Sequence, residues 1–359
     1  KQASKQASKQ ASKQASKQRL IGLDLFRISA ALIVMLFHSA IHIGCNYGIF
    51  QPFILMGAVF MTGFFMLSGY SLYYIYEEKN LLDIKYIINY YKKRLSGIMP
   101  VYYVTAILYI IFLGRETILQ NIIIAPIEIL GLQSAFSSLF GYSHNGGTWF
   151  ISCILLCYVF FPLIQNIVKQ MEIKYKAIVF IINTAVLLYS PFIVHVFKTS
   201  WIYSNPFFRI LEFMDGILLA GMFQDFKKIK FICKILFNKA VILFECVLLV
   251  IGVTILYKAG IACGDYMLYS VVCLPLFCLM LPALAYIKLG SLDNSKIIKY
   301  LSQISYCFFL AQFFVWPLIR IMEINNNVLK IVISVILCVI IAVVLNYFIE
   351  KPVKKWITG

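Results

Sequence analysis

Ten stretches of this chain are apolar over lengths close to that of a bilayer crossing, and this repetition constrains the fold more than any motif does. A membrane-spanning helix needs roughly 20 mainly apolar residues, with a range of about 17–25. The runs are 20–43, 50–76, 98–113, 148–168, 177–197, 206–223, 240–258, 266–288, 303–322 and 328–349, the third at the short edge. In hydrocarbon each segment must satisfy its own backbone hydrogen bonds, so consecutive runs of this size form helices. The expectation is an all-α integral membrane protein with about ten transmembrane helices. Composition agrees. The chain is 62% hydrophobic and 13% charged, whereas soluble domains are roughly 45–50% and about 25%.

Charge then orients the helices. The linkers 77–97, 169–176, 224–239 and 289–302 hold five, three, five and two Lys/Arg, and the linkers between them hold at most one each. Cytoplasmic loops carry the excess of Lys and Arg, so the alternation puts the basic linkers and both termini in the cytoplasm. It also disposes of the nucleic-acid reading that a formal charge of +17 invites, because the cations sit in short clusters between apolar runs. The expected setting is a multi-pass cell-membrane protein, consistent with a bacterial cytoplasmic membrane, with the lipid bilayer as its first partner.

Three segments stand apart. Residues 1–18 repeat Lys-Gln-Ala-Ser, carry five lysines and have no apolar face, so they read as a tag or placeholder. Without them the charge is +12, and the membrane domain is 19–359. Residues 121–140 are apolar enough to suggest an eleventh crossing. A crossing there would invert every later linker, and Pro126 and Glu128 oppose it, so an outer re-entrant or interfacial segment is expected. Seven of the ten cysteines fall inside apolar runs, where a thiol acts as a small hydrophobe. Cys153 and Cys157 share a face with no third metal ligand, and no metal is expected. Cys45 and Cys263 lie in outer loops, where a disulfide is conceivable.

An ionisable residue inside a span costs a few kcal/mol and is a functional candidate by default. The first run, LIGLDLFRISAALIVMLFHSAIHIG, holds Asp24, Arg27, His38 and His42. Arg27 and His38 are eleven residues apart, about three turns and roughly 16 Å of helical rise, so they share a face. Arg27 with Asp24 can snorkel to the inner headgroups, but His38 is too short to reach an interface from its depth. Histidine accepts and returns a proton near neutral pH, and all four histidines (His38, His42, His144, His195) map to the outer half. FFRILEFMDG adds Arg209 and Glu212, one turn apart, for which an ion pair between helices and a substrate site are equally good readings, with Asp215 deeper in the run. Gly57, Gly63, Gly216 and Gly221 read as packing positions.

The chain also resembles the acyltransferase 3 family of membrane-embedded O-acyltransferases. The likeness rests on LDLFRISAALIVMLFH with its arginine–histidine spacing, and on FFMLSGY at 64–70, KRLSGIMPVYY at 93–103 and GGTWFIS at 146–152. FFRILEFMDG at 207–216, ISYCFFLAQ at 304–312 and YFIEKP at 347–352 complete it, so it covers residues 19–356. The pattern departs at three places: Gly97 stands for a usual arginine, Ile154 for a frequent glutamate and Gln312 for a frequent histidine. The resemblance implies that His38 is the catalytic base or itself carries the acyl group, with Arg27 assisting. It implies an acyl-CoA donor, acetyl-CoA first, gripped from the cytoplasm by Arg27, Lys93, Arg94 and Ser68. Its acceptor would be a glycan or glycolipid hydroxyl of the cell envelope, meeting His38 from outside near His42, Arg209, Glu212, Trp149 and His144. The residues alone leave two other readings: a transporter of a small polar solute or lipid-linked sugar, and a scaffold whose buried charges are structural.

Overall fold

The computed structural model describes residues 19–114, 116–135, 144, 147–198, 202–226, 238–260 and 266–358. The repetitive segment 1–18 and Cys263 lie outside them. The described residues are 86% helical and hold no strand. The helices are α1 (Ile21–Ile43), α2 (Phe60–Tyr76), α3 (Ile84–Phe112), α4 (Ile118–Ile129), α5 (Thr148–Gln170), α6 (Ile173–Phe197) and α7 (Pro206–Phe226). They continue with α8 (Lys239–Lys258), α9 (Tyr266–Tyr286), α10 (Lys296–Ile321), α11 (Asn327–Leu345) and α12 (Lys351–Thr358). Short helical turns precede α2, and a π-helical turn, Asn346–Glu350, joins α11 to α12.

Every expected apolar run lies on a helix. Nine described helical stretches are long and apolar enough to cross a membrane. The tenth expected crossing, α7, has 21 residues but carries Arg209, Glu212 and Asp215. It tolerates them because it lies inside the bundle, packed on α2, α5, α6 and α9. All three charged residues are buried.

The third crossing begins 14 residues before its apolar run, at Ile84. Asp83 caps it, its side chain accepting from the Lys85 backbone N–H. The first turns, IKYIINYYKKR, mix apolar and basic residues, as suits a helix leaving the interface, and an apolar-length criterion passes over them. α4 has only 12 residues, too few to span, which suits the expected re-entrant or interfacial segment. Both ends of the described chain meet the start of α10. Arg19 donates to the Lys299 carbonyl at 3.3 Å, and the Lys351 ammonium lies 5.1 Å from the Tyr300 ring centre. Ends on one side require an even number of crossings.

Lipid-facing surfaces are legible as rows of exposed aliphatic and aromatic residues. Ile178, Ile181, Ile182, Val186 and Tyr189 line α6, Leu243, Val247, Ile251 and Ile255 line α8, and Val328, Val332, Ile336 and Ile340 line α11. The interior is closed by glycine. A Cβ at Gly216 would stand 1.9 Å from the Met66 carbonyl oxygen, and one at Gly69 would stand 2.0 Å from the Phe213 carbonyl oxygen. α2 and α7 therefore touch backbone to backbone, the arrangement small residues permit in membranes. Gly216→Ala should cost about 1–3 kcal/mol of stability, read as a lower melting temperature of the purified protein. Gly97→Ala, whose Cβ meets nothing within 4 Å, should melt like the wild type, and equal melting of all three proteins would refute the close contact.

Candidate functional site

The polar face of α1 is braced against α10. Ser302 donates to Asp24 Oδ1 at 2.6 Å, and Arg19 is ion-paired to the other carboxylate oxygen. Arg27 Nη1 donates to Ser302 Oγ at 3.1 Å and lies 3.6 Å from Asp24. Asp24 is buried, so its partners offset a desolvation that would otherwise exclude it from this depth. One edge of the Arg27 guanidinium is thus fixed, and its side chain remains 30% exposed.

Three turns outward on the same face, His38 Nδ1 is 2.8 Å from Gln312 Oε1 of α10. An amide oxygen only accepts, so Nδ1 carries the hydrogen and Nε2 keeps its lone pair. The ring centres of Phe37, Phe313 and His42 lie 5.1, 5.3 and 5.8 Å from that of His38. His42 in turn stacks on Trp316 at 6.2 Å and 16°. Arg320 ties down the His42 carbonyl through Nε and Nη2 at 3.1 and 3.0 Å.

Between the start of α1 and these rings lies a cavity of about 400 Å³. Arg27, Ser68, Lys93 and Arg94 all line it, and α12 adds Lys351 and Lys354. Five cations therefore share the wall with one carboxylate, Glu350. That carboxylate already accepts from Asn346 Nδ2 at 2.7 Å and from the Cys307 thiol at 3.4 Å. The π-helical turn that carries Asn346 and Glu350 is a wide turn of the kind that recurs at functional sites. Met61, Phe64, Phe150, Ile154 and Phe309 supply apolar wall. Phe150 and Phe309 meet edge to face at 5.7 Å, and Phe313, which touches His38, is one turn beyond Phe309. A basic, partly apolar cavity thus ends about one helical turn short of the histidine. Gly97 and Ile154, two of the three departures from the family pattern, line it. The third, Gln312, holds His38.

The remaining expected site residues are engaged elsewhere. Arg209 donates to both Glu212 oxygens at 2.8 Å, and Thr62 donates to Glu212 Oε1 at 2.8 Å. The guanidinium lies 4.7, 5.3 and 5.4 Å from the ring centres of Tyr203, Trp149 and Phe65. Arg209, Glu212 and Trp149 form one buried unit joining α7 to α2 and α5, with no polar contact to His38 among the described residues. His144 pins the connection after α4. Its backbone N–H and Nδ1 meet the Glu128 carboxylate at 2.9 and 2.5 Å, and Nε2 meets Asn121 at 2.8 Å. Of the outer histidines expected near the acceptor, only His42 joins His38.

Sequence reasoning passed over Lys351, Lys354, Asn346 and Tyr158 of the cavity, and the bond from Gln312 to His38. The only signal for the two lysines is EKPVKK, which reads as a topology mark. No metal-binding cluster of three or more His, Cys, Asp or Glu is present among the described residues.

A family model described as an acyltransferase domain matches residues 20–347. No curated protein and no solved structure matches the chain.

The hydrogen bond to Glu128, with the negative charge of that carboxylate and of Glu116, holds the His144 pKa above its ordinary value against the opposing effect of burial. A raised folded-state pKa contributes stability that is complete below the unfolded value of about 6.5 and is lost as pH rises through the folded value. The protein should melt higher at pH 6 than at pH 9, and His144→Gln should narrow that gap. An unchanged gap in thermal unfolding would remove His144 from the pH response.

Proposed function

The chain belongs to the acyltransferase 3 family, and from that premise we propose that it moves an acetyl group from cytoplasmic acetyl-CoA to a hydroxyl of an outward-facing cell-envelope glycan or glycolipid. The observation that carries this reading is the cavity with five cations and one engaged carboxylate, set along α1 and α10 on the line to His38. Phosphate groups are the natural occupants of clustered Arg and Lys, and the nucleotide end of coenzyme A supplies them. Its pantetheine arm would lie along Phe64, Phe150 and Phe309. The roughly 16 Å of helical rise from Arg27 to His38 matches the reach of such an arm.

At the far end the acceptor hydroxyl oxygen attacks the thioester carbonyl carbon, and His38 Nε2 takes the hydroxyl proton. The tetrahedral adduct collapses with loss of the carbon–sulfur bond, and the thiolate takes the proton back from His38. An ester and free coenzyme A result, and the histidine ends as it began. Gln312 maintains the tautomer this requires, because a donor held at Nδ1 leaves the base at Nε2.

Purified protein incubated with radiolabelled acetyl-CoA should consume it, and His38→Ala should slow consumption by about 10²–10⁴-fold, the usual weight of a general base. The double change Lys351→Ala/Lys354→Ala should raise KM for acetyl-CoA several-fold with kcat little altered, because phosphate contacts are made equally in ground and transition states. Undiminished consumption by His38→Ala would end this reading.

A further inference from the structure

His38 and His42 stand one turn apart on α1, and Gln312 and Trp316 stand one turn apart on α10. The two pairs face each other in register: Gln312 bonds to His38 and Trp316 stacks on His42. Both α10 residues are buried, at 0% and 2% exposure. Gln312 Nε2 and Trp316 Nε1 have no hydrogen-bond partner among the described residues.

A buried donor without an acceptor costs about 1–3 kcal/mol, and native proteins hold few of them. Phe at position 316 would fill the space without that cost. Two such donors on one face, beside His38 with its Nε2 lone pair kept, call for an acceptor that arrives with the substrate. Gln312 is the more constrained of the two. Its Oε1 is fixed by the His38 Nδ1–H, and amide bond lengths put Nε2 about 2.2 Å from Oε1. The free N–H donor thus lies within about 5 Å of the His38 ring, at a distance fixed by covalent geometry.

We propose that Gln312 Nε2–H and Trp316 Nε1–H receive the carbonyl oxygen of the transferred acyl group. This assignment rests on the acyl-transfer reading and deepens it. When the acceptor oxygen bonds to the carbonyl carbon, the carbonyl π pair moves onto that oxygen. An oxygen gaining negative charge gains most from donors already aimed and shielded from water. When the carbon–sulfur bond breaks, the pair returns and the two N–H groups are released. One carboxamide then does two things. Its oxygen sets the base and its nitrogen holds the oxygen on which charge develops, so base and oxyanion keep a fixed separation. Phe313, half-buried against both histidines, is the ring the acyl group must displace to reach them.

Trp316→Phe removes one donor and keeps a stacked ring over His42. Gln312→Glu replaces the other donor and keeps an oxygen for His38 Nδ1–H, but it adds an ionisable group at a buried position, so its melting temperature is measured beside its activity. Each should lower kcat for acetyl-CoA by about 10²-fold, with KM within about twofold, and Trp316→Phe should melt like the wild type. A second readout does not depend on turnover. With ¹⁵N-indole labelling the chain has four tryptophan signals, and the one missing from Trp316→Phe is assigned to Trp316. S-acetonyl-CoA, which carries a ketone, should move that signal downfield, whereas S-ethyl-CoA, which lacks the carbonyl, should leave it in place. A Trp316 signal unmoved by bound S-acetonyl-CoA, full kcat in both variants, or losses confined to KM would overturn the assignment. If His38→Ala is inactive while both variants are active, only this inference falls. If neither analogue binds, the donor site falls, and this inference falls with it.

Discussion

In a lipid solvent no water waits to satisfy a buried polar group, so each one needs a partner from the chain or from a ligand. The bundle depends on this constraint at three points. Asp24, with Arg19, Arg27 and Ser302, ties α1 to α10. The Arg209–Glu212 pair, with Thr62, ties α7 to α2. Asp215 accepts from Asn183 at 2.7 Å and Thr184 at 3.0 Å and ties α7 to α6. Apolar packing between lipid-like side chains fixes register weakly, since lipid competes on equal terms. A carboxylate with two named donors does not slide. The close backbone contact of Gly69 and Gly216 then becomes possible, because the helices that carry these glycines are already held in register.

The same constraint distinguishes charges neutralised inside the bundle from charges gathered at a cavity. Arg209 has a carboxylate on it and three aromatic rings around it, so its charge is neutralised within the chain. The cavity wall is different in kind. Arg27, Lys93, Arg94, Lys351 and Lys354 converge on one space, and its only carboxylate is already turned toward Asn346 and Cys307. Arg27 is paired with Asp24 and Lys351 lies on the Tyr300 ring, but repulsion among five cations still works against folding. An anion entering from the cytoplasm would relieve it. The residues that mark topology and the residues that line the cavity therefore overlap, since a basic inner mouth orients the protein and clustered Arg and Lys suit phosphates.

How far the sequence discloses this follows from what periodicity can carry. Length and apolarity locate the nine described helical stretches that are long and apolar enough to cross, because each helix must satisfy its own backbone whatever its neighbours do. The 3.6-residue period places Asp24, Arg27, His38 and His42 on one face. Ile84 as the start of α3 is hidden, since its first turns are amphipathic rather than apolar. What a period cannot give is the identity of the facing helix. Gln312 is 274 residues from His38, and nothing local distinguishes it from a polar residue with another purpose. For the same reason Arg209, Glu212, Trp149 and His144 are readable as buried and polar, while the partners they engage are set only by how the helices assemble. Lys351 and Lys354 are hidden differently, since a basic tail after the last crossing is what any cytoplasmic end looks like.

The departures from the family pattern gain meaning from where they fall. Gly97 and Ile154 line the cavity, and Gln312 is the partner of His38. A side chain begun at Gly97 would enter open space, with nothing within 4 Å of its Cβ, so glycine there exchanges a cation for volume without disturbing a helix contact. Ile154 exchanges a carboxylate for apolar wall beside Phe150. With that carboxylate absent, one fewer group neutralises the remaining cations, which offsets the arginine missing at 97. The charge balance of the wall is nearly conserved while its shape and polarity change. The paired charges Asp24–Arg27 and Arg209–Glu212 are present in the interior, and the three differences from the family pattern fall on the cavity wall and on the partner of His38.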